Sequence, residues 1–575
     1  MIILGINDGH TASACLYADG QLKAAIQEER LRRVKNWSGM PVQAIQKLLR
    51  ITGATVQDID YVAMNGHFAA YPMTRDQLME EYRTINDGGV TLRRILRRNL
   101  NRAVKGTPME AAYHRRRQVR RVEDLLRMGL PWEKIVFVDH HTAHAAAAYY
   151  GWGDFEHDVL VLTCDGAGDG LCATVNVGRC GRLQRLHQVR QADSIGNIYA
   201  MVTFLMGMVP LEHEYKLMGL APYAEPKGAE RLAREFAKLI RFNPNNPLVW
   251  ERTPDCPDTY CSYRFLRELL AEQRFDWIAG GLQKFTEAML TEWVQNCVKE
   301  TGIQRLALGG GIFMNVKANK LIMELPEIQD LFVYPSCGDE TNAMGAAYFV
   351  HAEKAGIAGM APLRDLYLGP RFTDDEVEAA LHAFTFSSPV KYERLSSIEA
   401  TVARLLAAGT VVARFKGREE FGARSLGNRS ILANPSNPQV VRVINEMIKS
   451  RDFWMPFAPS VLEERAYDYL INPKGVDAPY MILSFDTTER RTEIAAAIHP
   501  FDFTARPQIV SQASNSDYHA LIAEFERLTG IGGVLNTSFN LHGYPIVSRP
   551  VDALEVFDRS GLTHLAIENW LVETH

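Results

Sequence analysis

Four short apolar runs in this chain stop abruptly at clusters of glycine, aspartate and histidine. Ile2–Asn7 runs into Asp8-Gly9-His10, and Ile135–Val138 into Asp139-His140. Val159–Leu162 leads to Asp165-Gly166, and Arg305–Leu308 to Gly309-Gly310-Gly311. A short apolar run bounded by turn formers reads as a buried strand. Helical patterns intervene at Pro41–Leu49, Gly228–Leu239, Phe285–Thr301 and Asn342–Ala355. Strands alternating with helices imply an α/β fold, with ligand-facing loops at the strand ends. Asp19-Gly20, set between the apolar runs Thr11–Tyr17 and Leu22–Glu28, predicts a β-hairpin near the N-terminus.

The chain has 575 residues, 47% hydrophobic and 23% charged, which excludes a disordered chain, a coiled coil and a fibre. Its formal charge of −5 argues against a protein built to coat nucleic acid. No apolar stretch is long enough for a membrane span, and MIILGINDGH lacks the basic start of a signal peptide. The 8 cysteines are scattered with no CxxC pair, so a reducing, cytoplasmic setting is expected. Gly356–Pro370, rich in Gly and Pro, reads as the main linker, and a second α/β unit follows. In that unit, strands are predicted at Thr410–Phe415 and Gly533–Leu535, and helices at Val440–Ile448 and Asp517–Arg527. No internal repeat is visible. The basic stretch from Arg93 to Arg121 predicts one or two helices, read as a solvated face paired with carboxylates such as Glu80 and Asp124.

Asp139-His140-His141-Thr142-Ala143-His144 opens an alanine-rich run, which favours helix. Residues four apart share a helix face, so His140 and His144 can address one metal ion, while His141 needs another role. Oxygen ligands are available in two glycine-flanked acidic loops, Thr163–Gly170 and Ser336–Glu340. Mixed imidazole and carboxylate donors lean toward Fe2+ or Zn2+. Asp8–Ser13 and Gly309-Gly310-Gly311 are similar to the paired phosphate loops of actin-like ATPases, offering backbone N–H groups. Neither matches a Walker motif. In the second unit, Lys416–Ser430 carries four cations among glycines, Lys449 and Arg451 follow, and Arg506 adds another. Such cations suit phosphate, although salt bridges to Glu419, Glu420 and Asp452 are the alternative. Leu535–Asn540 is a polar turn after a strand and is placed to face a ligand.

Taken in order, these segments resemble the nodulation-protein-U and cephamycin or tobramycin O-carbamoyltransferase family. The matching pieces are His10–Ala14, Glu28-Glu29-Arg30, Asp139–His144, Lys216–Ala221, Gly309–Gly311, Phe421–Ser430, Pro456–Ser460 and Leu535–Asn540. The resemblance implies an N-terminal actin-like domain of the threonylcarbamoyl-transferase type over residues 1–356. It places a linker at 357–362 and a YrdC-like α/β domain at 363–575. The second domain would make carbamoyl adenylate from ATP, with Mg2+, and carbamoyl phosphate. The first would pass the carbamoyl group to a hydroxyl of a small natural product, as in antibiotic tailoring. Carried over, the metal ligands would be His140, His144, Asp165 and Asp339, holding Fe2+ or another divalent ion. His10 and Asp8 match positions near the acceptor, with His10 as candidate base. Lys216, Gly309, Gly310, Gly311 and Asn315 match the nucleotide part. Arg424, Lys449, Arg451, Arg506, Ser538 and Asn540 match the phosphate and carbamoyl set, with Arg424 catalytic. Met455 and Tyr544 stand where many members carry Arg and Glu. Two alternatives stay open: a tRNA threonylcarbamoyl-type transferase, and a non-catalytic actin-like nucleotide sensor. The acceptor and the oligomeric state are not legible.

Overall fold

A computed structural model describes residues 1–68, 74–86 and 108–574. Arg93 to Lys105 of the basic stretch therefore lie outside the described residues.

The N-terminal part holds two five-stranded sheets. The first contains β1 (Ile2–Asn7), β2 (Ser13–Ala18), β3 (Gln21–Gln27), β4 (Tyr61–Asn65) and β5 (Ile135–Val138), ordered β3-β2-β1-β4-β5. The second contains β6 (Val159–Gly168), β7 (Leu171–Arg179) and β8 (Arg182–Arg190). After a hairpin of β9 (Ile240–Asn243) and β10 (Asn246–Arg252), β11 (Arg305–Gly309) and β12 (Asp330–Val333) complete it. Its order is β12-β11-β6-β7-β8. Each sheet thus has an antiparallel meander whose first strand pairs in parallel with the fourth, and the fourth with the fifth. This is an actin-like topological repeat, invisible in the sequence because strand order is set by packing rather than by local pattern. The predicted hairpin is present, and its turn carries Asp19 at φ 52° and Gly20 at φ 73°.

Between the sheets lie two helices, His140–Trp152 and Asn342–Ala355. The first is capped by Asp139, whose carboxylate accepts the Thr142 N–H at 2.9 Å, and it ends at Gly153 in the left-handed region. Its alanines are buried, which lets backbones approach closely. A Cβ on Gly345 would meet Ala143 O at 1.9 Å, and one on Gly309 would meet His144 O at 2.7 Å. The histidine-bearing helix is therefore wedged between a glycine of the second helix and a glycine of β11.

The C-terminal part is built on one eight-stranded mixed sheet. It comprises β13 (Val390–Arg394), β14 (Val412–Phe415), β15 (Arg429–Ala433), β16 (Ala458–Leu462), β19 (Gln508–Val510), β20 (Gly533–Ser538), β21 (His564–Ile567) and β22 (Trp570–Thr574). A short separate pair, β17 (Leu470–Ile471) and β18 (Asp486–Thr487), lies beside it. The helix predicted at Val440–Ile448 runs from Gln439 to Ile444 and continues as a π-helical turn, Asn445–Lys449. Residues near the expected linker are bound to the first sheets: Ala361 N–H donates to Gly20 O at 2.8 Å, and Ala25 N–H to Leu368 O at 3.1 Å. No described helix is long and apolar enough to cross a membrane.

Candidate functional site

His140 and His144 leave the helix after β5 on one face, as their spacing predicts. Asp165 comes from the end of β6, and Asp339 from the turn after β12. Their ligand atoms converge. His140 Nε2 is 3.1 Å from Asp165 Oδ2 and 3.5 Å from Asp339 Oδ1. His144 Nε2 is 3.4 Å from each of the same oxygens. Donors about 2.1 Å from a common ion lie roughly 3.0–3.4 Å apart in octahedral or tetrahedral arrangements, so the set fits a divalent metal. All four ligand atoms lie within 4.8 Å of one another. Burial pulls the His140 imidazole down, but the Asp339 and Asp165 carboxylates outweigh it and carry it up to about 9. Asp165 is held well below the carboxylate range by both histidines against the effect of its own burial. His141 points elsewhere: its Nδ1 is 2.8 Å from Thr163 Oγ1, and burial pushes it down to about 3, which keeps it neutral.

The His/Asp cluster opens into a cavity of about 1590 Å³ that is lined by both halves of the chain. Every predicted site residue lines it except Gly309, Gly310 and His144. Gly309 and Gly310 sit behind the wall, where a Cβ would strike His144 O or Cys164 O. Gly309 serves the close approach of β11 to the histidine helix, and Gly310 the approach of the following turn to the backbone of β6 at Cys164. Gly311 does face the cavity, 2.8 Å (Cβ position) from Asp165 Oδ1. Asn315 exchanges two amide hydrogen bonds with Gln283, both 2.9 Å. Lys216 pairs with Asp452 across the two halves at 2.9 Å.

Asp8 is held in a two-pronged pair: Arg121 Nε donates to Oδ2 at 2.7 Å and Nη2 to Oδ1 at 2.5 Å. The same guanidinium donates to the carbonyls of Gly66 (2.6 Å) and Asn65. So Arg121, read from sequence as part of a solvated basic face, is instead a buried anchor beneath the cavity. His10 lines the cavity next to it, and among the described residues its ring has no hydrogen-bond partner.

Across the cavity, Arg424, Arg451 and Arg506 come together. Among the described residues no carboxylate pairs with any of them, and Arg424 Nε is buried without a partner. Burial lowers all three, and repulsion by neighbouring arginines adds to it at Arg424 and Arg506; Arg424 falls to about 10. Buried cations crowded together without carboxylate partners call for an anion. Lys449 is already engaged: its ammonium donates to Ser538 Oγ at 3.1 Å and Asn540 Oδ1 at 2.8 Å, fixing the turn after β20. Of the four cations in Lys416–Ser430, only Arg424 reaches the cavity. Lys416 pairs with Glu399, Arg418 caps Leu368 O, and Arg429 stacks over Phe415 at 3.6 Å.

Beside Lys216, two residues that sequence reasoning missed as bridges also join the halves. Arg30 reaches the second unit, donating to Gly422 O at 2.6 Å and pairing with Glu419 at 3.2 Å. Ser336 accepts the Ala423 N–H at 2.9 Å. Nothing local marks these contacts, since their partners lie far along the chain.

Residues 2–348 match the carbamoyltransferase N-terminus family and residues 403–574 the carbamoyltransferase C-terminus family. An uncharacterized Synechocystis protein, sll1178, is 31% identical over 99% of this chain and 96% of its own length. Nodulation protein NolNO of Sinorhizobium fredii is 31% identical over 98% of this chain and 79% of its own. Nodulation protein U of the same species is 34% identical over 48% of this chain and 47% of its own. Among solved structures, full-length HypF in a phosphate- and nucleotide-bound form aligns with a TM-score of 0.37 and 13% identity, over 62% of this chain and 56% of that one. With both halves matched and relatives similar over almost its whole length, the chain belongs to the carbamoyltransferase family of transferase enzymes.

Proposed function

We propose that this chain is an ATP-dependent O-carbamoyltransferase with two half-reactions in one chamber. The observation that supports it most is one cavity joining arginines that have no carboxylate partner among the described residues to a His/Asp set able to hold a metal. In the first half-reaction, water releases carbamate from carbamoyl phosphate as inorganic phosphate leaves. A carbamate oxygen then bonds to the α-phosphorus of ATP while the α–β bond breaks, giving carbamoyl adenylate and pyrophosphate. The two polyanions repel each other, and Arg424, Arg451 and Arg506 offset that repulsion and the charge on the leaving pyrophosphate. Lys449 holds Ser538 and Asn540 in place to receive the carbamoyl group, in the YrdC-like reading of this unit. In the second half-reaction, an acceptor hydroxyl attacks the carbamoyl carbon and AMP leaves. His10, whose ring faces the cavity, takes the hydroxyl proton. Asp8, pinned by Arg121, fixes the loop from which His10 projects. His140, His144, Asp165 and Asp339 would hold the divalent ion, which supplies Lewis-acid polarisation when bound. The acceptor is a small hydroxylated molecule.

The test is incubation with ATP, Mg2+ and carbamoyl phosphate. One pyrophosphate and one inorganic phosphate per turnover are expected, and omission of carbamoyl phosphate should abolish pyrophosphate release. Pyrophosphate release that ignores carbamoyl phosphate refutes the proposal.

A further inference from the structure

One hydroxyl touches both the segment that carries Arg424 and the segment that carries Asp339. Ser336 Oγ accepts the N–H of Ala423, the residue before Arg424, at 2.9 Å. The same hydroxyl donates to Glu340 Oε1, on the residue after Asp339. Glu340 Oε2 lies 3.2 Å from Thr11 Oγ1, and its backbone carbonyl accepts Ser13 Oγ–H at 2.6 Å. The chain of contacts therefore runs from the arginine loop, through Ser336 and Glu340, to the loop that bears His10.

The backbone is shaped for this contact. Ser336 has φ 56° and Thr11 φ 52°, left-handed values that L residues rarely adopt and that cost roughly 1 kcal/mol or more each. Gly422 has φ 101°, and a Cβ there would meet Ser336 Cβ at 2.5 Å. Only glycine lets the arginine loop come so near. Ser336 is 4% exposed, so water does not substitute for its partners.

We propose that Ser336 is a positioning residue that sets the Arg424 loop and the Asp339–Glu340 turn in register. Filling either site then favours binding at the other. The inference rests on the reading of these clusters as an anion site and a metal site. Any order imposed on one segment by its ligand is shared with the other through Ser336, so the second ligand meets a site already arranged.

The test uses the whole chain, with Co2+ as metal probe and sulfate as anion probe at constant ionic strength. Co2+ affinity is followed by its visible absorption, with and without saturating sulfate. In the unaltered protein sulfate should tighten Co2+ binding at least ~5-fold, the lower end of ordinary coupling. Sulfate affinity should rise by the same factor when Co2+ is present, and Arg506→Met should abolish the effect. Ser336→Ala and Ser336→Gly should each still bind both probes, with the factor reduced below ~2. The glycine variant guards against misfolding, since φ 56° suits glycine better than serine. Two bound probes without coupling in the unaltered protein would overturn the role of Ser336 while leaving both sites standing. So would coupling that survives in both variants. Failure to bind Co2+ or sulfate at all would remove the reading of the sites, and this inference with it.

Discussion

Replacing Gly345 by alanine sets two effects of opposite sign against each other. Gly345 lies within the helix Asn342–Ala355, where alanine in place of glycine ordinarily gains about 1 kcal/mol of helix propensity. Its new Cβ, however, would lie 1.9 Å from Ala143 O, a backbone atom of the histidine-bearing helix. Contact distance is about 3.5 Å, so the helices must separate by roughly 1.5 Å. The far side offers no room, because Gly309 already lies against the backbone at His144. Overpacking of this kind costs about 1–3 kcal/mol, which outweighs the propensity gain, so a net loss of up to ~2 kcal/mol is expected. The displacement also moves His140 and His144 away from Asp165 and Asp339, where tolerances are about 0.2 Å. Divalent-metal affinity should fall roughly 10–100-fold although no ligand is altered. Urea unfolding and Co2+ titration of the purified variant read the two quantities. A variant stabilised by ~1 kcal/mol with unchanged Co2+ affinity would refute the reasoning from close helix approach.

Other expectations follow from the same geometry. Arg121→Met should destabilise by about 3–5 kcal/mol in urea unfolding by stranding Asp8, and adding Asp8→Asn should recover part of that. In the metal-free protein His140 is raised to about 9 from an ordinary 6.5, chiefly by Asp339 and Asp165 working against burial. Its stabilisation is then fully present below pH ~6.5 and lost as pH rises through ~9. Apo melting temperature should therefore fall across that window while Co2+ affinity rises, because the ion must displace the proton. Opposite slopes in either measurement would contradict the assignment. Arg506→Met should lower carbamoyl-phosphate-dependent pyrophosphate release at least ~10²-fold, the scale of losing one transition-state donor. Because its neighbours Arg424 and Arg451 repel it, the same change should leave thermal stability equal or higher; a large fall in melting temperature would argue that Arg506 is structural.

What could be read beforehand was what short stretches of chain decide for themselves. The i, i+4 spacing of His140 and His144 and the alanine run fix a helix with two imidazoles on one side. The strands Ile135–Val138 and Arg305–Gly309 were legible because apolar runs ended at glycine or aspartate. The two glycine-flanked acidic loops were legible as sources of oxygen ligands, but family resemblance was needed to pick Asp165 and Asp339 from the carboxylates in them. β15 was hidden inside the cationic segment because its first residue, Arg429, is a fully buried arginine whose terminal nitrogens donate to carbonyls and whose guanidinium covers the face of Phe415. Arg121, Ser336 and Arg30 could not be assigned, because each is defined by a partner more than a hundred residues away or in the other half.

The duplicated sheet order has a mechanical consequence. The two imidazoles follow the first sheet in the chain, but their helix packs on β6 and β11 of the second, which also carries Asp165; Asp339 lies in the turn after β12. The donors are therefore braced on one side of the seam between the twin modules. A swing of the first module would pass the ion's cage without pulling imidazole from carboxylate, so the chamber could widen or narrow while the cage keeps its shape.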